Sequence, residues 1–396
     1  MTSMNNKNRD IISDRVRNLS PSGIRKFFDL IASMDGVISL GVGEPDFHTP
    51  WRIREAAIYS LEKGYTNYTS NYGLLELREE LSKYLANRYH IDYLPSSEIL
   101  ITVGVSEGLD LAMRAILNPG DEVIIPEPTY VSYNPCVTLA GGVPVPVPTY
   151  MENRFQVLPE DIEKKITSKT KAILIGYPNN PTGAVMPREE LEKIAEIAEK
   201  HNLIVISDEV YERLVYKTES VSFASIKGMR DRTISLGGFS KSYAMTGWRI
   251  GYAYSNSEII EAMMKVHQYT MLCAPIQGQM AAVEALRSGD SFVEEMREEY
   301  DRRRNMMVTG LNDIGLYCIE PDGAFYTFPS IKTLNMPSSE FAEQLLIEEK
   351  VAVVPGSAFG SSGEGHIRCC YAVSPNEIEE ALVRIDRFVK KVQEKW

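Results

Sequence analysis

No stretch of this chain approaches the ~20 consecutive apolar residues that a membrane-spanning helix requires, and a surplus of positive charge is missing too. Lys and Arg number 42 against 54 Asp and Glu, giving a net charge of -12 and a pI near 5.1. Such a balance opposes a broad phosphate-binding surface, so neither nucleic acid nor an anionic membrane is an expected partner; a small anion in a local pocket stays open. Cysteine is sparse: Cys136, Cys273, Cys318, Cys369 and Cys370 are odd in number and without CxxC spacing, and the five histidines are scattered. Reduced thiols and no metal site are therefore expected. The opening residues 1–10 lack the apolar core of a signal peptide, which makes the cytoplasm the expected location.

What is present suffices for a large core. At 396 residues, 44% of them hydrophobic, and about 150 residues per domain, two or three compact units are expected. Short β-branched runs at 98–103, 122–126, 171–177, 203–208, 233–236 and 249–254 read as strands, and between them 74–89, 108–117 and 188–201 carry helical periodicity. The alternation predicts an α/β core with a mostly parallel sheet wrapped by helices. From about Glu294 the pattern changes to a long charged helix (294–311), short strands near 317–328, 351–355 and 366–371, and a last helix from Pro375. The division expected is a large domain over 46–293, a smaller α+β domain from 294–396 joined by 13–45, and a flexible tail over 1–12. A helix is expected over 22–34, followed by the turn-forming Gly41-Val42-Gly43-Glu44-Pro45-Asp46.

The run Gly237-Gly238-Phe239-Ser240-Lys241-Ser242-Tyr243-Ala244-Met245-Thr246-Gly247-Trp248-Arg249 crowds a lysine with small residues and follows it with an arginine. A surface lysine is the common case, but a lysine meant for Schiff-base chemistry needs a desolvated site or a conjugated aldehyde such as that of pyridoxal phosphate. Asp208 closes the apolar run Leu203-Ile204-Val205-Ile206-Ser207. At a strand's carboxyl end it could keep a ring nitrogen protonated, or it could cap a helix. Tyr211 could donate to a phenolic oxygen or be an ordinary packing aromatic. Asn180, in Tyr177-Pro178-Asn179-Asn180-Pro181-Thr182-Gly183, reads as part of a turn or as a second donor to that oxygen. Thr102-Val103-Gly104-Val105-Ser106 joins a strand to a helix, so the N–H groups of Val105 and Ser106 could meet an anion, with Arg249 and Ser240 adding a guanidinium and a hydroxyl. Tyr130 could stack on an aromatic ring or simply pack.

Taken together, these residues closely resemble the class I aminotransferases of the fold type I pyridoxal-phosphate enzymes. The likeness runs from about Ser20 to the last helix. Asn180-Pro181-Thr182-Gly183, Asp208-Glu209-Val210-Tyr211, Ser240-Lys241 and Met245-Thr246-Gly247-Trp248-Arg249 stand in the family's order and spacing, as in its branch of bacterial and archaeal aspartate and aromatic aminotransferases. The resemblance implies a mostly parallel seven-stranded sheet in the large domain and pyridoxal 5'-phosphate held by Lys241 as a Schiff base. It implies that Asp208 pairs with the pyridinium, that Asn180 and Tyr211 contact the phenolic oxygen, that Tyr130 stacks, and that Val105, Ser106, Ser240 and Arg249 hold the phosphate. Tyr68, ahead of Gly73, matches the family tyrosine that reaches the phosphate of a neighbouring subunit, so a homodimer is implied. Arg368 matches the clamp for the substrate α-carboxylate, and the Gly43 backbone a second contact to it.

Two departures bear on function. Gly238 stands where the wider family often has a hydroxyl, leaving Ser240 as the hydroxyl ligand. Ser106 stands where some aspartate-selective relatives place a lysine for a distal carboxylate. The expected activity is ping-pong transamination from an aromatic or broad range of L-amino acids to a 2-oxo acid such as 2-oxoglutarate, with aspartate as the alternative donor. Tyr177 and His267-Gln268-Tyr269 could shape an apolar side-chain pocket, or belong to a core or subunit interface. The same scaffold also supports lyases and decarboxylases, and a ligand-sensing regulatory domain is a further alternative, for which the residues ahead of the resemblance are too few to form a DNA-binding domain.

Overall fold

The structure is a computed structural model that describes residues 11–17, 19 and 34–394. The helix expected over 22–34 lies outside these residues except for its last position, as does most of the tail. A short strand β1 (Ile38–Ser39) precedes the seven that build the central sheet: β2 (Ile99–Thr102), β3 (Glu122–Glu127), β4 (Val143–Pro148), β5 (Thr170–Gly176), β6 (Ile204–Asp208), β7 (Thr233–Gly238) and β8 (Gly251–Tyr254). Their spatial order is β2-β8-β7-β6-β5-β3-β4. Pairs β4–β3, β3–β5, β5–β6 and β6–β7 are parallel, while β8 runs antiparallel to both neighbours. The inner strands are buried almost throughout because helices cover both faces, which is why they read as continuous β-branched runs. Helix Arg188–Lys200 shows the matching stripe, burying Leu191, Ile194, Ala195, Ile197 and Ala198 and exposing its charges.

Strand β4 was not expected from the sequence, since Val143-Pro144-Val145-Pro146-Val147-Pro148 reads as a strand breaker. It survives because it is an edge strand paired only with β3. Val143 N–H donates to Asp121 O at 2.8 Å, so the alternating prolines place their missing donors on the outer edge, where no ladder bond is lost. Helix Gly104–Ile116 starts well before the expected position 108, directly after β2. Gly104 makes this corner at φ +73°, a left-handed conformation that glycine adopts without steric cost.

In the C-terminal part, β9 (Tyr326–Thr327), β11 (Val354–Pro355) and β12 (Ile367–Cys370) form an antiparallel sheet in the order β11-β12-β9, and β10 (Val351–Ala352) pairs in parallel with β1. The strands expected over 317–328 shrink to Tyr326–Thr327. Leu40 is gripped on both sides, its N–H donating to Ala352 O and its carbonyl accepting from Cys370 N, each at 2.8 Å. One buried cluster joins Leu40, Tyr211, Leu214, Tyr300, Phe325, Phe341 and Phe388. The helix Pro375–Gln393 closes it, opened by a capping box between Ser374 and Glu377.

Helix Asp290–Asp313 fixes the loop that supports the turn after β5. Its fully buried Arg304 donates to Asp301 Oδ1 at 2.6 Å and Pro321 O at 2.8 Å and pairs with Glu320 at 2.8 Å. Asp322 and Gly323 N–H in turn donate to Gly183 O at 3.0 and 2.9 Å. The two carboxylates keep some contact with water, so truncation would strand less charge than in a fully buried pair. Arg304→Ala is expected to cost about 2–3 kcal/mol in denaturant unfolding; a loss indistinguishable from zero would show that the guanidinium does not brace this loop.

Candidate active site

The carboxyl ends of β5, β6 and β7 open onto one crevice, as expected of an open α/β sheet. The crevice is a cavity of about 550 Å³ whose lining includes Gly43, Val105, Ser106, Tyr130, Asn180, Asp208, Tyr211, Ser240, Lys241, Arg249 and Arg368. Each arrives from a different part of the chain: Asp208 ends β6, Asn180 sits in the turn after β5, and Lys241 lies on the short helix Phe239–Ser242 that follows β7.

Lys241 Nζ donates to Gly43 O at 2.6 Å and lies 5.9 and 5.7 Å from the ring centroids of Tyr211 and Phe325. Burial pushes its pKa down to about 8, and the Arg368 and Arg249 cations add to the fall. Asp208 is buried, its Oδ2 accepting from Tyr133 Oη at 2.8 Å and its Oδ1 from Val210 N–H at 3.2 Å. Burial raises its pKa, while these two hydrogen bonds and the Lys241 charge act the other way. Tyr133 fits only because Gly176 has no side chain; a Cβ there would stand 2.2 Å from the Tyr133 hydroxyl oxygen.

At the opposite end, Tyr211 and Tyr326 hydroxyls lie 2.8 Å apart. Arg368 Nη1 donates to Asn180 Oδ1 at 2.8 Å and Nη2 to Gly41 O at 2.6 Å, while Nε is buried with no hydrogen-bond partner. The guanidinium carbon sits 4.5 Å from the Tyr326 ring centroid and 5.0 Å from that of Phe359. A third corner is built on glycines. A Cβ on Gly104 would approach Arg249 Nη2 to 2.4 Å, and one on Gly251 would approach Val105 N to 2.6 Å. Without those side chains the helix N-terminus, the Ser106 and Ser240 hydroxyls and Arg249 share one corner. Arg249 itself has φ 56°, uncommon for a residue with a Cβ, and its Nη1 donates to Thr246 O at 2.8 Å. A Cβ at Gly238 would fall 2.8 Å from Val105 Cγ2, so Val105 packs into the space of the hydroxyl residue common in the wider family.

Some expectations need correction. Tyr177 does not line the cavity: its hydroxyl accepts from Val157 N–H at 3.3 Å and donates to Phe155 O at 3.4 Å, on the far side of the turn. His267 is fully buried against Glu107, with Nδ1 2.7 Å from Oε1, beneath the helix rather than in the crevice. Tyr269 is 86% exposed. Tyr68, expected to serve a neighbouring subunit, is no such correction: it is 82% exposed and lies outside its own chain's cavity. Sequence reasoning missed Tyr133 and Tyr326. A second aromatic just past Tyr130 was the only signal for the first, and Tyr326 sits in a run of aromatics that reads as core.

A buried acid, a desolvated amine, aromatic and hydroxyl groups and an anion corner beside a buried guanidinium with an orphaned Nε form a donor set that suits an aromatic aldehyde phosphate and a carboxylate substrate. The family described as aminotransferase class I and II matches residues 35–385. The chain belongs to the class I and II aminotransferases. It is 49% identical over 383 residues to an aspartate aminotransferase of Pyrococcus abyssi, covering 96% of this chain and 98% of that one. It is 47% identical over 383 residues to aromatic-amino-acid aminotransferase 2 of Thermococcus litoralis, with the same coverage of both chains. The crystal structure of an aromatic aminotransferase from Pyrococcus horikoshii superposes with a TM-score of 0.89 at 46% identity, over 93% of this chain and 99% of that one. This aminotransferase is a pyridoxal-phosphate enzyme that acts on amino and keto acids, and the donor set fits that cofactor. Among the described residues no helix is long and apolar enough to cross a membrane.

The lowered Lys241 pKa has a measurable consequence. In the cofactor-free protein, pH-dependent reductive methylation with mass mapping should give this amine a midpoint near 8. A midpoint in the usual lysine range, about 10.4, would remove desolvation as the source of its reactivity.

Proposed function

We propose that Lys241 carries the cofactor's aldehyde carbon, that Asp208 faces its ring nitrogen, that Asn180 and Tyr211 face its phenolic oxygen and that Tyr130 covers its ring. Val105, Ser106, Ser240 and Arg249 take the phosphate, and Arg368 with the Gly43 backbone takes the substrate α-carboxylate. The observation that carries this reading is the convergence of Lys241, Asp208 and Arg368 on one buried cavity. When bound, pyridoxal phosphate supplies a conjugated ring that accepts the electron pair released at the substrate α-carbon. Lys241, as an amine of lowered pKa, is a base suited to moving the proton at that carbon near neutral pH. Asp208, held by Tyr133 and cut off from water, stabilises positive charge at the atom facing it. Arg368 orients the substrate: its guanidinium lines the cavity and suits a planar carboxylate, and the Tyr326 and Phe359 rings keep the fork in place.

The donor we favour is an aromatic or broad range of L-amino acids, with 2-oxoglutarate as acceptor. The cations lining the cavity are Lys241, Arg249 and Arg368, each already given a task, and Ser106 adds none, which argues against a site restricted to dicarboxylates rather than against binding one. Aspartate is the second reading, supported by the relative of that name in Pyrococcus abyssi. We further propose a cytoplasmic homodimer. Tyr68, Trp51, Tyr59 and Leu61 are exposed large apolar side chains of the kind that self-association would cover, and Tyr68 would reach the partner's phosphate corner. The large unit of this reading spans 46–293 and the small one 13–45 with 294–396.

Lys241→Ala should lose steady turnover and the cofactor's pH-sensitive absorbance; normal turnover would refute the covalent role. Arg368→Ala should raise the amino-acid KM at least about thirtyfold, the equivalent of roughly 2–5 kcal/mol, with cofactor binding retained, and an unchanged KM would dismiss the clamp. A panel of donors assayed against 2-oxoglutarate decides between aromatic residues and aspartate, and a clear preference for aspartate would overturn the favoured reading.

A further inference from the structure

Tyr326 stands where three parts of the cavity meet. It belongs to β9, and its backbone is paired with Cys370 of β12, the strand that carries Arg368. Its ring faces the Arg368 guanidinium at 4.5 Å. Its hydroxyl lies 2.8 Å from Tyr211 Oη and against Gly43, where a Cβ would come within 2.4 Å of it. Gly43 in turn accepts from Lys241. Both residues are buried, so each phenol relies largely on the other for its hydrogen bond. The ring is held on one side by strand register and on the other by Gly43, and the hydroxyl has little freedom to leave Tyr211.

A phenol has one proton and can accept as well as donate. If Tyr211 offers its proton to the cofactor's phenolic oxygen, the proton bridging the two hydroxyls must come from Tyr326. Hydrogen bonds in such a chain polarise one another, so the outer donor makes the inner one stronger. Burial raises both phenol pKa values, with desolvation the leading cause in each, while their mutual hydrogen bond raises Tyr211 and lowers Tyr326, the pattern of Tyr211 donating when no cofactor is present; either hydroxyl can be the donor, and a cofactor oxygen that takes the Tyr211 proton reverses the bond.

We propose that Tyr326 is a positioning residue whose hydroxyl donates to Tyr211 Oη and thereby strengthens Tyr211 as a donor to the cofactor's phenolic oxygen. This rests on the assignment of Tyr211 to that oxygen. A donor to that oxygen favours its deprotonated, anionic form, so weakening the donor moves the bound cofactor's visible pH transition upward.

The test is a double-mutant cycle on the holoenzyme, reading the pH midpoint of the bound cofactor's visible absorbance. Tyr326→Phe keeps the ring over Arg368 and removes only the hydroxyl, so the fold and the arginine seat are retained. It should raise the midpoint by roughly half a pH unit while the amino-acid KM stays within about threefold of wild type. Tyr211→Phe should raise it further, and the double variant should match Tyr211→Phe alone, because the relay acts only through Tyr211. A Tyr326→Phe midpoint equal to wild type, or a shift that persists in the Tyr211→Phe background, overturns the relay and leaves the site assignment standing. An unmoved midpoint in Tyr211→Phe defeats the Tyr211 assignment itself, and the relay falls with it.

Discussion

The cavity gathers three cationic groups, Lys241, Arg249 and Arg368, inside a chain whose net charge is -12. Much of the site follows from that local inversion of sign. Desolvation and the two guanidiniums disfavour a third charge, so Lys241 gives up its proton more readily than a surface lysine. The two arginines cannot respond in the same way, because guanidinium stays protonated in proteins. They are held instead by neutral acceptors, Thr246 O for one and Asn180 Oδ1 with Gly41 O for the other. Carbonyl dipoles offset a positive charge without neutralising it. The cavity is therefore favourable for anions at both ends, and a phosphate and a carboxylate are the two anions that an amino-acid enzyme of this family must hold.

Backbone geometry makes this concentration of charge possible. Side chains at Gly104, Gly251 and Gly176 would intrude on Arg249, the Val105 amide and Tyr133 respectively. Their absence lets helix, strand and charged group approach more closely than ordinary residues allow. The chemistry is thus assembled by removing bulk at strand ends and letting long side chains fill the space. The C-terminal part places Tyr326 and Arg368 in the cavity and also acts at a distance: Arg304 braces the 320–323 loop, that loop holds Gly183, and the turn between Tyr177 and Gly183 carries Asn180 to Arg368.

The sheet was readable because its inner strands are buried on both faces and leave β-branched runs with acids or small residues at their ends. β4 was not, since a proline-alternating edge strand violates the propensities that mark a strand and persists only through its position in the sheet. The motif residues were readable for a similar reason: Lys241, Asp208 and Asn180 follow strands, where chain order and sheet topology together predict convergence. Tyr133 and Tyr326 were hidden because their roles come from tertiary neighbours. One depends on the bare Gly176 and the other on the register between β9 and β12, and neither leaves a local pattern. Tyr177 misled for the opposite reason, as it occupies a strand end yet turns its side chain toward Phe155.

Asp208, in the proposed arrangement, is where the protein leaves most for its cofactor to complete. Each carboxylate oxygen accepts one hydrogen bond, from Tyr133 and from the Val210 amide, and both donors are neutral. An ionised carboxylate bonded to an arginine would be fully compensated and would have little left to offer a ring nitrogen. Neutral donors fix its orientation while leaving most of its charge unspent, and burial keeps that charge from being screened by water. The raised pKa of the cofactor-free acid is the sign of this incomplete compensation. A protonated nitrogen placed against Asp208 would favour the ionised acid, so cofactor and carboxylate would each stabilise the charge on the other. In the proposed arrangement the guanidiniums stay at the two ends assigned to anions, where an equally strong attraction would not compete with that pairing.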